Sequence, residues 1–493
     1  MSSSVAQRPP GITRGAPRAL DTYPPPATIA EDDNWPHTRR PLPWLLAGFL
    51  VMIFLVPFDS IIFKVHMPAN ATFDRVFLVV MIAVFVASRA VRDRSRARRR
   101  LTPVEIAMLV FGGISLLSIV LNIDRIYQQN QLSFVEKQFS QLIAYGAFFF
   151  VVIATVRGDE VPAFTRLVMV LACLTAVGVI YESRSGTNLF FTWSAMLLGP
   201  LATVGNPPTD GAMSLISGPT QHPLALASML TIGLPFAVMP LLEPRPPTER
   251  VKYLLAVGLI LGADFSTGEK TAFFAPIAAF IVLAAYNRQI LRWMPVAVIV
   301  LIPVIHVASP GALGNISSIL PWSSSGRGGA DFTDGRSDDY AAVAPDILNN
   351  LIIGRGSGTM DTSNWRTYRI LDNNYLDTLF QVGIVGLISF LAIVFCAIMT
   401  SHGVIKRGGV RGPPALAAAA GCAAFGVVSA TYDASGFPQA VYSFLFVAGL
   451  AAVVASKPTQ RQLAPATTVR VGSHGYERGS TGMRRALTGA GNG

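Results

Sequence analysis

Residues 378–400 read TLFQVGIVGLISFLAIVFCAIMT, a stretch without one Asp, Glu, Lys or Arg. An α-helix needs about 20 such residues to cross roughly 30 Å of hydrocarbon. This run therefore reads as a membrane span, and comparable runs fill the chain. They lie at about Trp44 to Phe63, Phe73 to Ala90, Pro103 to Leu121, Phe139 to Val156, Val161 to Tyr181 and His222 to Leu242. The later ones lie at about Tyr253 to Phe265, Thr271 to Tyr286, Trp293 to Ala308, Pro414 to Ala430 and Ala440 to Ala455. With 51% hydrophobic residues, 14% charged residues and a mean hydropathy of +0.48 over 493 residues, a bilayer is the expected solvent. The fold expected is all-α: a polytopic transmembrane helix bundle of about twelve spans, with one long extracytoplasmic loop containing short helices.

The net charge of +11 and pI of 9.8 raise the question of nucleic acid, and the placement of the charge answers it. Basic residues concentrate between apolar runs, in VRDRSRARRR at Val91 to Arg100, EPRPPTERVK at Glu243 to Lys252 and SHGVIKRGGVRG near Ser401 to Arg411. The positive-inside rule makes those loops cytoplasmic, so no nucleic-acid partner is required. An even number of spans then puts both termini in the cytoplasm of a multi-pass protein of a bacterial cytoplasmic (inner) membrane. The division expected is a disordered cytoplasmic tail at 1–42, about nine spans within 43–308, an extracytoplasmic loop at 309–377, about three spans within 378–456, and a second disordered cytoplasmic tail at 457–493. Cys173, Cys396 and Cys422 fall inside apolar runs, with no CxxC pair and no Cys/His cluster, so neither a disulfide framework nor a metal site is expected.

The loop at 309–377 is the polar exception. Within DDYAAVAPDILNNLII, at 338–353, Tyr340, Val343, Ile347 and Leu351 recur at three- and four-residue intervals, as in an amphipathic helix, with Pro345 a point of bending. A glycine-rich turn, GRGSG at 354–358, follows. The loop also carries Arg336, Arg355, Arg366 and Arg369 on the side where arginine is otherwise scarce. Guanidinium forks suit phosphate oxygens, and a lipid pyrophosphate is the natural anion. The alternative is ordinary pairing with Asp334, Asp338, Asp339, Asp346 and Asp361 on a solvated loop.

Gly335-Arg336, the loop helix, Asn350 to Gly358 (NLIIGRGSG), Asp372 to Leu376 (DNNYL) and Val382 to Leu387 (VGIVGL) together resemble the O-antigen ligase and polymerase superfamily. Upstream, Gly218 to Ala225 (GPTQHPLA) is similar to that family's HPN motif, and STGEKT at 266–271 occupies the place of its SxSR. The resemblance implies an inverting, metal-independent glycosyltransferase that needs no cofactor. Its donor would be an undecaprenyl-pyrophosphate-linked glycan, its acceptor a glycan or lipid hydroxyl. Membrane lipid and partners in polysaccharide export would be its company. On that reading Asp372 receives the acceptor proton, and Arg336 with Lys270, Arg355, Arg366 and Arg369 holds the pyrophosphate. Asn373, Tyr375 and His222 support them. Asp372 stands where the ligase branch has histidine, and Lys270 where arginine is usual, which keeps the charge and loses the fork.

Each assignment has a structural alternative. Asp372 could cap a helix, and His222 could be an interfacial polar residue before Pro223. Asp59, expected inside the first span, and Asp264, near the end of the seventh, would be expensive against lipid and should face protein. The rival function is a transporter or flippase of lipid-linked sugars, which needs cations buried along a mid-membrane path, and the spans here are nearly free of Lys and Arg.

Overall fold

The computed structural model describes residues 40–64, 72–90, 100–210, 213–288, 290–292, 299, 303, 330–360 and 371–456. Apolar runs become helices in chain order: α1 (Pro41–Leu55), α2 (Phe73–Ala90), α3 (Pro103–Leu121), the single-turn α4 (Ile123–Gln128), α5 (Leu132–Thr155), α6 (Val161–Ser185) and α7 (Leu189–Leu198). They continue as α8 (Pro223–Leu242), α9 (Pro247–Ser266), α10 (Thr271–Tyr286), α11 (Ala330–Asn349), α12 (Asn374–Arg407), α13 (Gly412–Thr431) and α14 (Pro438–Ala455). Among the described residues, seven of these are long and apolar enough to cross a membrane: α3, α5, α6, α8, α12, α13 and α14. The chain is thus a helical membrane protein, with α1, α2, α9 and α10 packed alongside those seven. The run expected at Trp293 to Ala308 lies almost wholly outside the described residues.

Burial sorts the helices. In α14, 89% of the span is buried inside the protein and in α8 83%, against 33% in α3, so α8 and α14 form the centre and α3 faces the solvent or lipid. Small residues permit that centre to close. α13 reads GPPALAAAAGCAAFGVVSAT, and a Cβ added to its Gly421 would meet the Ile232 carbonyl of α8 at 3.1 Å. Phe425 of α13 stacks on Phe444 of α14 with ring centroids 4.0 Å apart.

Two expectations change. The first apolar run ends early: α1 stops at Leu55 because Pro57 disfavours helical backbone before it. Asp59 then sits in a 3₁₀ turn, Phe58–Ser60, outside the helix, and β1 (Ile61–Phe63) pairs antiparallel with β2 (Ala202–Val204). The loop after Glu182 holds α7, capped by Asn188, whose side-chain oxygen accepts from the Phe190 and Phe191 amides. The amphipathic helix of the late loop is α11, which starts at Ala330 and ends at Asn349 instead of running from Asp338 to Ile353. Val343 and Ile347 are buried against Leu371 and Phe380, whereas Tyr340 and Leu351 are exposed at its margins.

The feature that positions the site is a break in α12. Gly383 has φ +75°, which separates residues 374–382 from the long second half. Broken backbone at membrane depth must find partners inside the protein, and residues 351–358 supply them. The Arg355 and Gly356 amides donate to the Phe380 and Gln381 carbonyls at 3.1 and 2.9 Å. The Ile384 amide donates to the Leu351 carbonyl at 2.8 Å. Ser118 of α3 donates its hydroxyl to the Ile353 carbonyl at 2.7 Å, and the Asn122 amide donates to the Gly354 carbonyl at 3.2 Å. Glycine is required at both faces of this seal. A Cβ at Gly354 would lie 2.4 Å from the Gln381 carbonyl, and one at Gly383 would lie 2.3 Å from the Ile352 oxygen.

Candidate functional site

Four connecting segments meet at the end of the bundle where α6, α9 and α13 finish and α8, α10, α12 and α14 begin. They are residues 217–222, 267–271, 371–375 and 431–437. Each is fixed locally before it reaches the others.

The 217–222 segment hangs on Glu182 of α6. Its carboxylate accepts from the Gly218 and Ser217 amides at 2.9 and 3.3 Å and from the Asn188 side-chain amide at 2.8 Å. That clamp delivers His222 to the N-cap of α8. The His222 ring caps the helix itself, Nδ1 accepting from the Leu224 amide at 3.2 Å, with Pro223 in the first helical position. An Nδ1 that accepts carries no proton, so a neutral His222 bears its hydrogen on Nε2. Burial pushes the imidazole below its usual range, and the nearby Asp372 carboxylate opposes that shift.

Asn373, not Asp372, caps α12. Its side-chain oxygen accepts from the Tyr375 and Leu376 amides at 3.0 and 3.2 Å. Asp372 is therefore released from the capping role and stands half-buried one residue before it. Tyr375 points into the bundle, where its hydroxyl donates to the Gly426 carbonyl at 2.5 Å and its ring lies 5.9 Å from Phe390. Tyr375 thus anchors the start of α12 to α13.

The 431–437 segment is bound to the other three. The Asn374 amide donates to the Tyr432 carbonyl at 3.2 Å, and Tyr432 and Ser228 of α8 share a hydroxyl–hydroxyl bond of 2.7 Å. Phe437 lies 5.4 Å from the Tyr432 ring and 5.8 Å from the His222 ring. Thr271, beside Lys270, bonds Thr431 at 2.8 Å, which brings the 267–271 turn against the same segment. Asp433 accepts from the Ser435 amide and hydroxyl at 3.1 and 2.6 Å. Burial raises its carboxyl above the usual range, with Asp372 among the nearby charges pushing the same way. Tyr432 is raised by burial as well, with Asp433 and Glu269 close enough to contribute.

Of the residues singled out in the sequence, His222, Lys270, Asp372 and Asn373 come together here. Arg355 does not join them. It is 4% exposed, donates to Asp346 at 2.6 Å and to Gln129 at 3.2 Å, and lies 5.3 Å from the Phe380 ring, so its charge is committed to fastening the seal to α11, the α4–α5 link and α12. Arg336 belongs to the first half of α11, and its side chain lies outside the described residues, as do Arg366 and Arg369. Tyr432, Asp433 and Glu269 were not singled out as site residues. The signal for the first two was a carboxylate and a phenol in TYDASGFP, the link between the last two helices.

Directly beneath the site is a cavity of about 90 Å³ between α3, α5, α12, α13 and α14. Asn374, Asp377, Thr378 and Gln381 line it from the short half of α12 and face Gln138, Gln141 and Tyr145 of α5. Those spacings, i, i+3, i+4, i+7 and i, i+3, i+7, put one polar stripe on each helix. Phe111, Phe390, Phe425 and Phe444 close the far wall.

No protein-family model matches this chain, and no curated protein matches it. The site therefore speaks through its own geometry.

Proposed function

We propose that the chain is a membrane glycosyltransferase of O-antigen ligase/polymerase type. It transfers or polymerises glycan from an undecaprenyl-pyrophosphate carrier at the outer face of a bacterial cytoplasmic membrane. The observation that carries this reading is the meeting, at one end of the bundle, of His222, the turn bearing Lys270, and Asp372, from segments far apart in sequence. Asn373, and not Asp372, caps α12, which is consistent with a chemical role for Asp372.

In the step proposed, Asp372 accepts the proton of an acceptor hydroxyl as that oxygen attacks the anomeric carbon from the face opposite the leaving group. The carbon–oxygen bond to the pyrophosphate breaks and the pyrophosphate leaves with the electron pair, so the configuration inverts. Lys270 meets the developing negative charge as a point charge, and Arg336 of α11 is assigned the same task. Neutral His222 serves as a hydrogen-bond donor through Nε2 beside Asp372. Arg355 is omitted from the pyrophosphate set because its partners are Asp346 and Gln129.

The direct test is incubation of the purified protein with an undecaprenyl-pyrophosphate glycan, reading released lipid pyrophosphate and product length. Turnover is expected, and Asp372→Asn should abolish it while leaving the amount of membrane-inserted protein unchanged. Facilitated movement of the intact donor across vesicles without turnover would favour the flippase; retained transfer in Asp372→Asn would end the base assignment.

A further inference from the structure

Away from Asp372, the start of α14 meets the α1–α2 connection in a compartment that the proposed transfer chemistry does not use. Gln439 is fully buried, and its side-chain amide donates to Asp59 at 2.6 Å and to the Pro219 carbonyl at 3.4 Å. One turn further along α14, the Tyr442 hydroxyl donates to Asp74 of α2 at 2.8 Å. Phe49, Phe58, Phe148 and Tyr145 pack around the Tyr442 ring at 5.0–6.3 Å and wall the compartment with aromatic carbon.

Three buried side-chain oxygens here have no partner: Asp59 Oδ2, Gln439 Oε1 and Thr72 Oγ1, the last two residues before Asp74. The two oxygens Asp59 Oδ2 and Gln439 Oε1 belong to groups already bonded to each other, so they are held within a few ångströms. Among the described residues neither Asp59 nor Asp74 forms an ion pair. The nearest guanidinium, Arg75, turns instead to the Ser140 hydroxyl at 2.8 Å and the Lys137 carbonyl at 3.5 Å. Two carboxyl groups without a cationic side chain, Asp74 buried and Asp59 with its Oδ2 buried, beside the unpartnered amide oxygen of Gln439, form an environment short of one positive charge.

We propose that Asp59, Asp74 and Gln439 enclose a monovalent-cation site that takes an alkali ion or a proton. Oxygen donors alone suit a hard cation, and two carboxyl groups with neutral oxygens suit a single charge better than two. The neighbours that set the site's charge are Asp74 and Arg75 from α2, Tyr145 from α5 and Tyr442 from α14. Burial, with the Asp74 charge added, raises the Asp59 carboxyl well above its usual range, which fits a positive partner being wanted there. Occupancy would tie the α1–α2 connection to α14 and to Pro219, three residues before His222.

The test uses the full-length protein in detergent and reads its thermal unfolding midpoint. The first arm exchanges choline chloride for sodium or potassium chloride at equal ionic strength and mildly alkaline pH. The second titrates pH downward in choline chloride alone. An alkali-ion site gives a saturable rise in Tm in the first arm that Asp59→Asn and Gln439→Leu both lose. A proton site gives no ion specificity, and instead a stabilisation on acidification that is smaller in Asp59→Asn than in the wild type. Gln439→Leu keeps the comparison open if Asp59→Asn fails to fold. Wild-type curves indifferent to the alkali ion, with a pH response unchanged in both variants, would overturn the site. None of these outcomes depends on glycan transfer.

Discussion

His222 shows how a single residue can be held in one chemical form by its place in the fold. A charged imidazole could not accept the Leu224 amide at Nδ1, and a positive charge at a helix N-terminus is disfavoured by the helix dipole. With its folded pKa below the unfolded value of about 6.5, its contribution to stability is complete above that value and is lost as pH falls through the folded pKa. His222→Asn puts a capping oxygen in place of Nδ1 and removes the titrating ring. Its unfolding midpoint should lose the part of the acid sensitivity that the wild type shows below about pH 6.5; equal acid sensitivity in the two would refute the assignment. Asp433 runs in the opposite sense, since its raised carboxyl favours the folded state at low pH and that advantage is lost as pH rises through its folded pKa. Arg355 is the residue whose role changed most between sequence and structure. Its type suggested phosphate, but its depth gives it to Asp346. Arg355→Ala should lower stability by about 1–3 kcal/mol, through the lost packing of a side chain only 4% exposed and its bond to the part-exposed Asp346, with loss of folded protein in a detergent melt. Once the fold is rescued by a stabilising lipid, donor affinity should be unchanged.

At the scale of elements, the broken α12 was the part least readable from sequence. Glycine inside an apolar run is ordinary in membrane helices, so VGIVGL gives no local sign that Gly383 has left the helix. The partner turn, GRGSG, was readable as a turn, but what it closes is 29 residues downstream at Gly383, counting from Gly354. What periodicity did reveal was the buried face of α11 at Val343 and Ile347, because a helix against an apolar neighbour must repeat at three and four. Pro57 marked the early end of α1, a local rule outweighed at first by the hydropathy of Ile61 to Phe63. The seal itself makes a sharp prediction. Gly383→Ala forces left-handed backbone on an L-residue, at about 1–2 kcal/mol, and sets a Cβ into the Ile352 carbonyl. Gly354→Ala does the same from the other side. Both should reduce the yield of monodisperse protein on size exclusion well below that of Gly112→Ala, where a Cβ meets nothing within 4 Å.

Across the whole molecule, Arg40 before α1 and the end of α14 at Ala455 lie at the same end of the bundle. Arg40 bonds the Thr155 carbonyl at 3.4 Å, and Gly449 of α14 packs on Val152 of the same stretch of α5. The 431–437 link and the 408–411 link lie at opposite ends of α13. If the basic loops face the cytoplasm, a cysteine at Ser435 should react with an impermeant thiol reagent on intact cells and one at Gly409 only after permeabilisation, in a background with Cys173, Cys396 and Cys422 replaced by serine. The reverse pattern would place the Asp372 site on the cytoplasmic face and remove the basis for an outward-facing transferase. That the chain is helical and membrane-spanning was legible from apolar length alone, though about twelve spans were expected and seven helices among the described residues are long and apolar enough to cross; the meeting of His222, Lys270 and Asp372 was not legible, since it depends on which helices are neighbours. The seal across Gly383 also bears on how this chain can vary. From residues 351–353 it is held by main-chain groups alone, so the identities of Leu351, Ile352 and Ile353 matter only through bulk and polarity. A library randomised over those three positions with small and apolar residues should yield many active members, whereas the two glycines should return unaltered: here selection acts on the shape of the backbone and leaves the letters largely free to drift.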